Sequence, residues 1–204
     1  MATAVDVAAF IRAAAPDSLS RMKLLKLVYY AQAWSLAWDG KPLFSEPIEA
    51  WADGPVVRSL WSKERHGSPV APDPEALKGA ERETVLAVLD FYGRFDGEAL
   101  SEITHVEKPW HDAREGVPHG ERSQGEISHE SMRRYYGSVR CEGKRIPPTY
   151  EEGLTLLRDL EPEALDELLA LSGPDGDDDL DVDVAAYCRW LETGEGDPCP
   201  VSSG

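Results

Sequence analysis

Apolar positions recur at helical spacing through MKLLKLVYYAQAWSLAWDG, where Leu24, Leu27, Val28, Ala31, Trp34 and Trp38 mark one face. Leu25, Tyr29 and Leu36 add apolar groups on other faces. A helix apolar on most sides is buried, so this segment is predicted to be the central helix of the core. Asp17, Ser18 or Ser20 supplies its N-cap and Gly40 its C-terminal stop. Before it, MATAVDVAAFIRAAAP reads as an amphipathic helix rather than a signal peptide, because Asp6 and Arg12 interrupt the apolar run and no basic leader precedes it.

Downstream, the pattern changes register repeatedly. Ile48 to Trp51 reads as a short extended segment. Asp53 or Gly54 is expected to cap a helix with Pro55 at its first position, carrying Val57, Leu60, Trp61 and Glu64 and ending by Gly67. After a proline-rich connection, Val85, Leu86, Leu89, Tyr92 and Phe95 define another core helix. GEALSEITH predicts a short helix and PWHDARE one or two further turns. ISHESMRRYYG offers Ser128 as an N-cap, Met132, Tyr135 and Tyr136 as an apolar side and Gly137 as a stop, which closes the first unit near residue 138. The fold class that follows is mainly α: a compact helical domain over 1–138 with at most a small short-stranded element.

Residues 139–192 have a different texture and predict an acidic helical extension, with helices expected from Thr149 to Leu160, from Pro162 to Gly173 and over VAAYCRWLE. Residues 193–204 read as a small, polar, disordered tail. The net charge of −17 is concentrated there, since residues 139–204 hold 17 acids against 5 bases. Such a balance argues against nucleic acid as the main partner, because that affinity is drawn from Lys and Arg on phosphates. It favours basic protein surfaces instead. Cys141, Cys188 and Cys199 are odd in number and lack CxxC spacing, so neither a disulfide framework nor a structural zinc site is expected. The longest uncharged run, LVYYAQAWSLAW, is shorter than the roughly 20 residues of a spanning helix, and the expectation is a cytoplasmic protein with no membrane partner.

The densest chemistry lies in THVEKPWHDAR, where His105, Glu107, His111 and Asp112 are metal-ligand and acid–base types. Their spacing is not HExxH, and Pro109 disfavours helical backbone at Lys108, so a single helix cannot aim all four at one ion. A rigid corner is expected instead, with Thr104 or His105 capping the turn and Trp110 plugging an apolar pocket. DGDDDLDVD has the acid density of a calcium loop without its glycine and terminal glutamate. No phosphate loop or nucleophile elbow occurs, and no cofactor is expected. Trp34, Trp38 and Trp61 read as core, while Trp51 and Trp110 read as plugs beside proline-containing turns.

Three blocks together carry a resemblance: MKLLKLVYYAQAWSLAWDGKPLFSEPIEAWADGPVVRSLW, then LSEITHVEKPW, then ISHESMRRYYG. In this order they resemble the Panacea domain family, also known as the SocA-like antitoxin or phage-associated domain, over about residues 5–138. The resemblance implies a mostly helical, non-enzymatic antitoxin that binds and blocks a cognate toxin encoded by the adjacent gene. One branch of the family resembles an adaptor that hands its toxin to a ClpXP-type protease. By position, Ile48, Glu49, Ala50, Trp51, Asp53, Gly54, Pro55 and Val56 fall in the first motif, and Thr104, His105, Glu107, Pro109 and Trp110 in the second. Of these, Trp51, Asp53, Gly54, Pro55, Val56, Thr104, His105, Glu107, Pro109 and Trp110 are the candidate toxin contacts. The alternatives are a proteolytic adaptor or phage-derived modulator of a host protein, and a metal-dependent hydrolase using His105, Glu107 and His111.

Overall fold

The computed structural model describes residues 1–15, 18–66, 73 and 75–141. Among them are seven helices and one two-stranded sheet, in the order α1 Ala4–Ala14, α2 Arg21–Trp38, β1 Ile48–Trp51, β2 Gly54–Val57, α3 Arg58–His66, α4 Ala80–Tyr92, α5 Gly97–Val106, α6 Lys108–Ala113 and α7 His129–Cys141. The mainly helical class and the single small sheet agree with the sequence pattern. The helices expected in 139–192 and the tail lie outside the described residues, apart from the end of α7.

Helix α2 is the axis of the core. Every residue from Leu24 to Leu36 is buried, as its all-round apolar pattern requires. Ser20 is the N-cap, its hydroxyl accepting from Lys23 N–H, and Gly40 follows the helix in the left-handed region at φ 67°. Helices α1, α4, α5 and α7 pack around it, with the hairpin against its first half. A polar residue inside α2 organises the loop that follows: Gln32 accepts from the N–H groups of Leu43 and Phe44 and donates to the Phe44 carbonyl at 2.9 Å. Satisfying three buried backbone groups with one side chain fixes the chain's turn from α2 into β1.

The hairpin corrects one expectation. Asp53, Gly54 and Pro55 do not start a helix; Gly54–Val57 pairs antiparallel with Ile48–Trp51, Pro55 facing Ala50 and Gly54 facing Trp51. Proline is tolerated in this strand because Ala50 turns its N–H away, donating to the Gly125 carbonyl. The Ala50–Pro55 pair exchanges no ladder bond, and the missing proline N–H costs nothing there. The outer side of β1 is covered by the Gly125–Ile127 segment, with Ile127 N–H donating to the Ile48 carbonyl at 2.8 Å. Helix α3 begins only at Arg58, and Leu60 is its single buried residue.

Gly137 also differs from expectation. It does not end α7, which continues to Cys141 with Ser128 accepting from Ser131 N–H at its start. Met132, Tyr136 and Val139 are buried on one face that spans the glycine, and this packing outweighs the roughly 1 kcal/mol by which glycine weakens a helix. The boundary expected near residue 138 therefore falls inside a helix.

Candidate functional site

The THVEKPW motif occupies the sharp junction between α5 and α6. The break is at Glu107, whose extended backbone (φ −82°, ψ 135°) ends one helix and precedes the next. Lys108, expected to be non-helical before Pro109, is instead the first residue of α6. Proline suits this first turn because its absent N–H would have had no intrahelical partner. Neither Thr104 nor His105 caps the turn: the Thr104 hydroxyl donates back to the Ser101 carbonyl at 2.7 Å, and Glu107 makes no capping bond.

The corner grips the hairpin turn through several side chains. Trp110 is buried and its indole N–H donates to the Trp51 carbonyl at 2.9 Å. The Ser101 hydroxyl donates to the Asp53 carbonyl at 2.8 Å, and the same carbonyl accepts from the Lys26 ammonium, which reaches it from α2. Gly54 sits against this knot at φ +95°; a Cβ there would lie 2.7 Å from Thr104 Oγ1 and closer still to Lys26 Nζ. Glycine is thus demanded by both backbone angle and space. Arg114, buried and stacked over Trp110 at 4.6 Å, donates to the carbonyls of Ala50, Pro118 and Glu121.

Two buried ionisable groups hold opposite halves of the arrangement. Lys26 is only 1% exposed, and burial lowers its pKa to about 7, against a smaller upward pull from Asp53. Glu107 is 2% exposed and burial raises its carboxyl to about 8, although hydrogen bonds from Tyr136 and Tyr30 pull the other way. These distances are 2.8 Å from Tyr136 and 3.3 Å from Tyr30, and the Tyr29 and Tyr136 hydroxyls lie 3.1 Å apart. Near neutral pH the carboxyl is therefore largely the neutral acid inside an aromatic cage completed by Tyr92, stacked 3.8 Å from Tyr30. His105 is held neutral too: burial, His119 and Lys26 lower it to about 4.

The motif residues therefore come together as a structural knot. Gly54, Pro55, Val56, Thr104, Glu107, Pro109 and Trp110 are buried, while Trp51 and His105 are half-buried and Asp53 is exposed. His111 and Asp112 point to solvent, and Asp112 pairs with Lys108 in the i,i+4 manner. The four groups singled out for metal or acid–base work are thus dispersed, and among the described residues no three His, Cys, Asp or Glu side chains form a metal-holding group. Sequence reading missed Lys26, Tyr30, Tyr136 and Arg114. Lys26 had a signal, being the lone cation of the apolar run LLKLVYY. Tyr30 and Tyr136 had none, since their shared partner Glu107 is distant in sequence.

The densest polar motif of this helical domain is spent on joining a hairpin to a helix corner. Residues 24–111 match the family model "Antitoxin SocA-like, Panacea domain". The match takes in the first motif block from Leu24 onward and all of the second, and stops before α7. No curated protein and no solved structure matches the chain. Among the described residues, no helix is long and apolar enough to cross a membrane.

Proposed function

We propose that this protein is an antitoxin that neutralises a cognate protein toxin by direct binding. The observation that carries the reading is the Panacea match over residues 24–111, which contains both hairpin and corner motifs. The geometry supports a binding role, because the polar chemistry of the corner is consumed in holding backbone carbonyls and filling the core. Burial then narrows the candidate contacts. Of the candidate contacts, Trp51, Asp53 and His105 keep atoms at the surface, so a toxin that touches these positions meets these three.

Beside them lies an aromatic and cationic face suited to protein contact. Trp51 and Trp61 meet edge to face at 5.2 Å, with Arg58 over Trp51 and Arg65 over Trp61. Trp and Arg are the side chains most often found where protein interfaces carry their energy. Glu49 fixes Arg58 by two hydrogen bonds, so the face is ordered before a partner arrives.

The test is to express the product of the adjoining reading frame alone and together with this chain, scoring growth and co-purification. Toxicity relieved by co-expression, with a stable complex, is the expected result. A harmless neighbour, or a toxic one that neither binds nor is relieved, overturns the reading. Toxin level within rescued cells separates the two modes of neutralisation: a retained toxin marks occlusion, a depleted one marks delivery to a protease.

A further inference from the structure

His105 lies in the last turn of α5 and His119 in the loop after α6, yet His105 Nδ1 and His119 Nε2 are 3.1 Å apart, with the rings at 86° to each other. Two zinc–nitrogen bonds of about 2.05 Å at a tetrahedral angle place their nitrogens roughly 3.3 Å apart. The pair therefore already has the spacing of two imidazoles on one ion. We propose that His105 Nδ1 and His119 Nε2 form a binding site for a divalent transition-metal ion of the zinc, nickel and copper group, with water in the remaining positions.

Both ligands are held in place by the fold. The His105 ring lies on Trp110 with centroids 4.3 Å apart, so its plane is set by a buried indole. On its inner side Nε2 is buried and makes no hydrogen bond. With the proton on that nitrogen, the Nδ1 lone pair is left for a ligand. His119 is clamped from both flanks, because Arg114 donates to the carbonyls of Pro118 at 2.6 Å and Glu121 at 2.7 Å. The ligand set therefore needs little ordering when the ion arrives.

Imidazole pairs select the borderline cations over calcium or magnesium, which prefer oxygen. Among the described residues no third histidine, cysteine or carboxylate completes a group with them, so the site stays open to water and exchanges its ion. Asp53 and Lys26 both act on His105, one favouring and one opposing positive charge, which keeps the affinity modest. A bound ion would tie the last turn of α5 to the 114–121 loop beside the hairpin turn. This inference does not depend on the antitoxin reading.

The test uses the full chain, stripped with a chelator and titrated with zinc by calorimetry, alongside His119→Ala, His119→Gln and His111→Ala. Running the variants in parallel subtracts zinc taken up by Cys141, Cys188 and Cys199. We expect a site in the wild type that is at least tenfold weaker in both His119 variants and unchanged in His111→Ala. All three variants should match the wild type in melting temperature with chelator present, since both side chains are exposed. Zinc uptake identical in the wild type and the His119 variants overturns the proposal and leaves the pair as an imidazole–imidazole hydrogen bond.

Discussion

The Tyr136 hydroxyl on α7 donates a 2.8 Å hydrogen bond to the Glu107 carboxyl at the α5–α6 corner. This bond joins a helix beyond the family match to a residue within it. Because the carboxyl is buried, the bond is made largely to an acid rather than to a carboxylate near neutral pH.

A pH signature follows from Glu107. Its carboxyl is raised from 4.5 to about 8, so between those values the folded chain retains a proton that the unfolded chain has released. The stability it contributes is fully present below the lower value and is lost as pH rises to the upper one. Glu107→Gln preserves shape and neutrality and should flatten the fall in melting temperature across that interval. An unchanged slope would show that the carboxyl is not protonated in the fold.

Lys26 gives the opposite sign. Its pKa is lowered from 10.5 to about 7, so between those values the unfolded chain holds the extra proton. Stability is fully present above the upper value and is lost as pH falls to the lower. Lys26→Met should abolish this alkaline rise in melting temperature, while the Asp53 carbonyl keeps its bond from Ser101. In the wild type the two windows meet, and a shallow stability minimum is expected at about pH 7 to 8.

Gly54→Ala tests the hairpin's packing. It combines a backbone at φ +95° with a clash against Lys26 and Thr104. The expected loss is about 3 kcal/mol, from backbone strain and overpacking together. Urea unfolding should show a lower midpoint with an unchanged slope; a loss below about 1 kcal/mol would mean that the turn relaxes freely.

Gly137→Ala should act in the other direction. The residue is inside α7, and an added Cβ meets nothing within 4 Å. Relief of glycine's helix cost predicts a gain of about 0.5–1 kcal/mol, read from the same unfolding curves. A destabilised variant would show that α7 ends at Gly137 in solution.

The helices were legible where apolar spacing was long and capped, as in α2 with Ser20 and Gly40. The hairpin was not, because Asp-Gly-Pro is as good a helix start as it is a turn. What decided it was tertiary: Ser101, Lys26 and Trp110 are all needed to satisfy the turn's carbonyls, and they lie far from it in sequence. Gly137 misled for a related reason, since a glycine after an apolar run signals a stop only when nothing beyond it is buried. Val139 is buried. Spacing could not reveal that Glu107 faces a tyrosine cage while His111 faces water.

The position of α7 separates what is recognisable from what folds. A chain cut after residue 111 would keep the whole matched segment and lose Met132, Tyr136 and Val139. It would also lose Ile127 and the Gly125 carbonyl that cover β1. Trp34, Tyr29 and Glu107 would then border water, and the carboxyl would ionise within what remained of the core. The hallmark stretch is thus a tenant of a larger building, and any shortened form intended to work by itself must run through the last turn of α7.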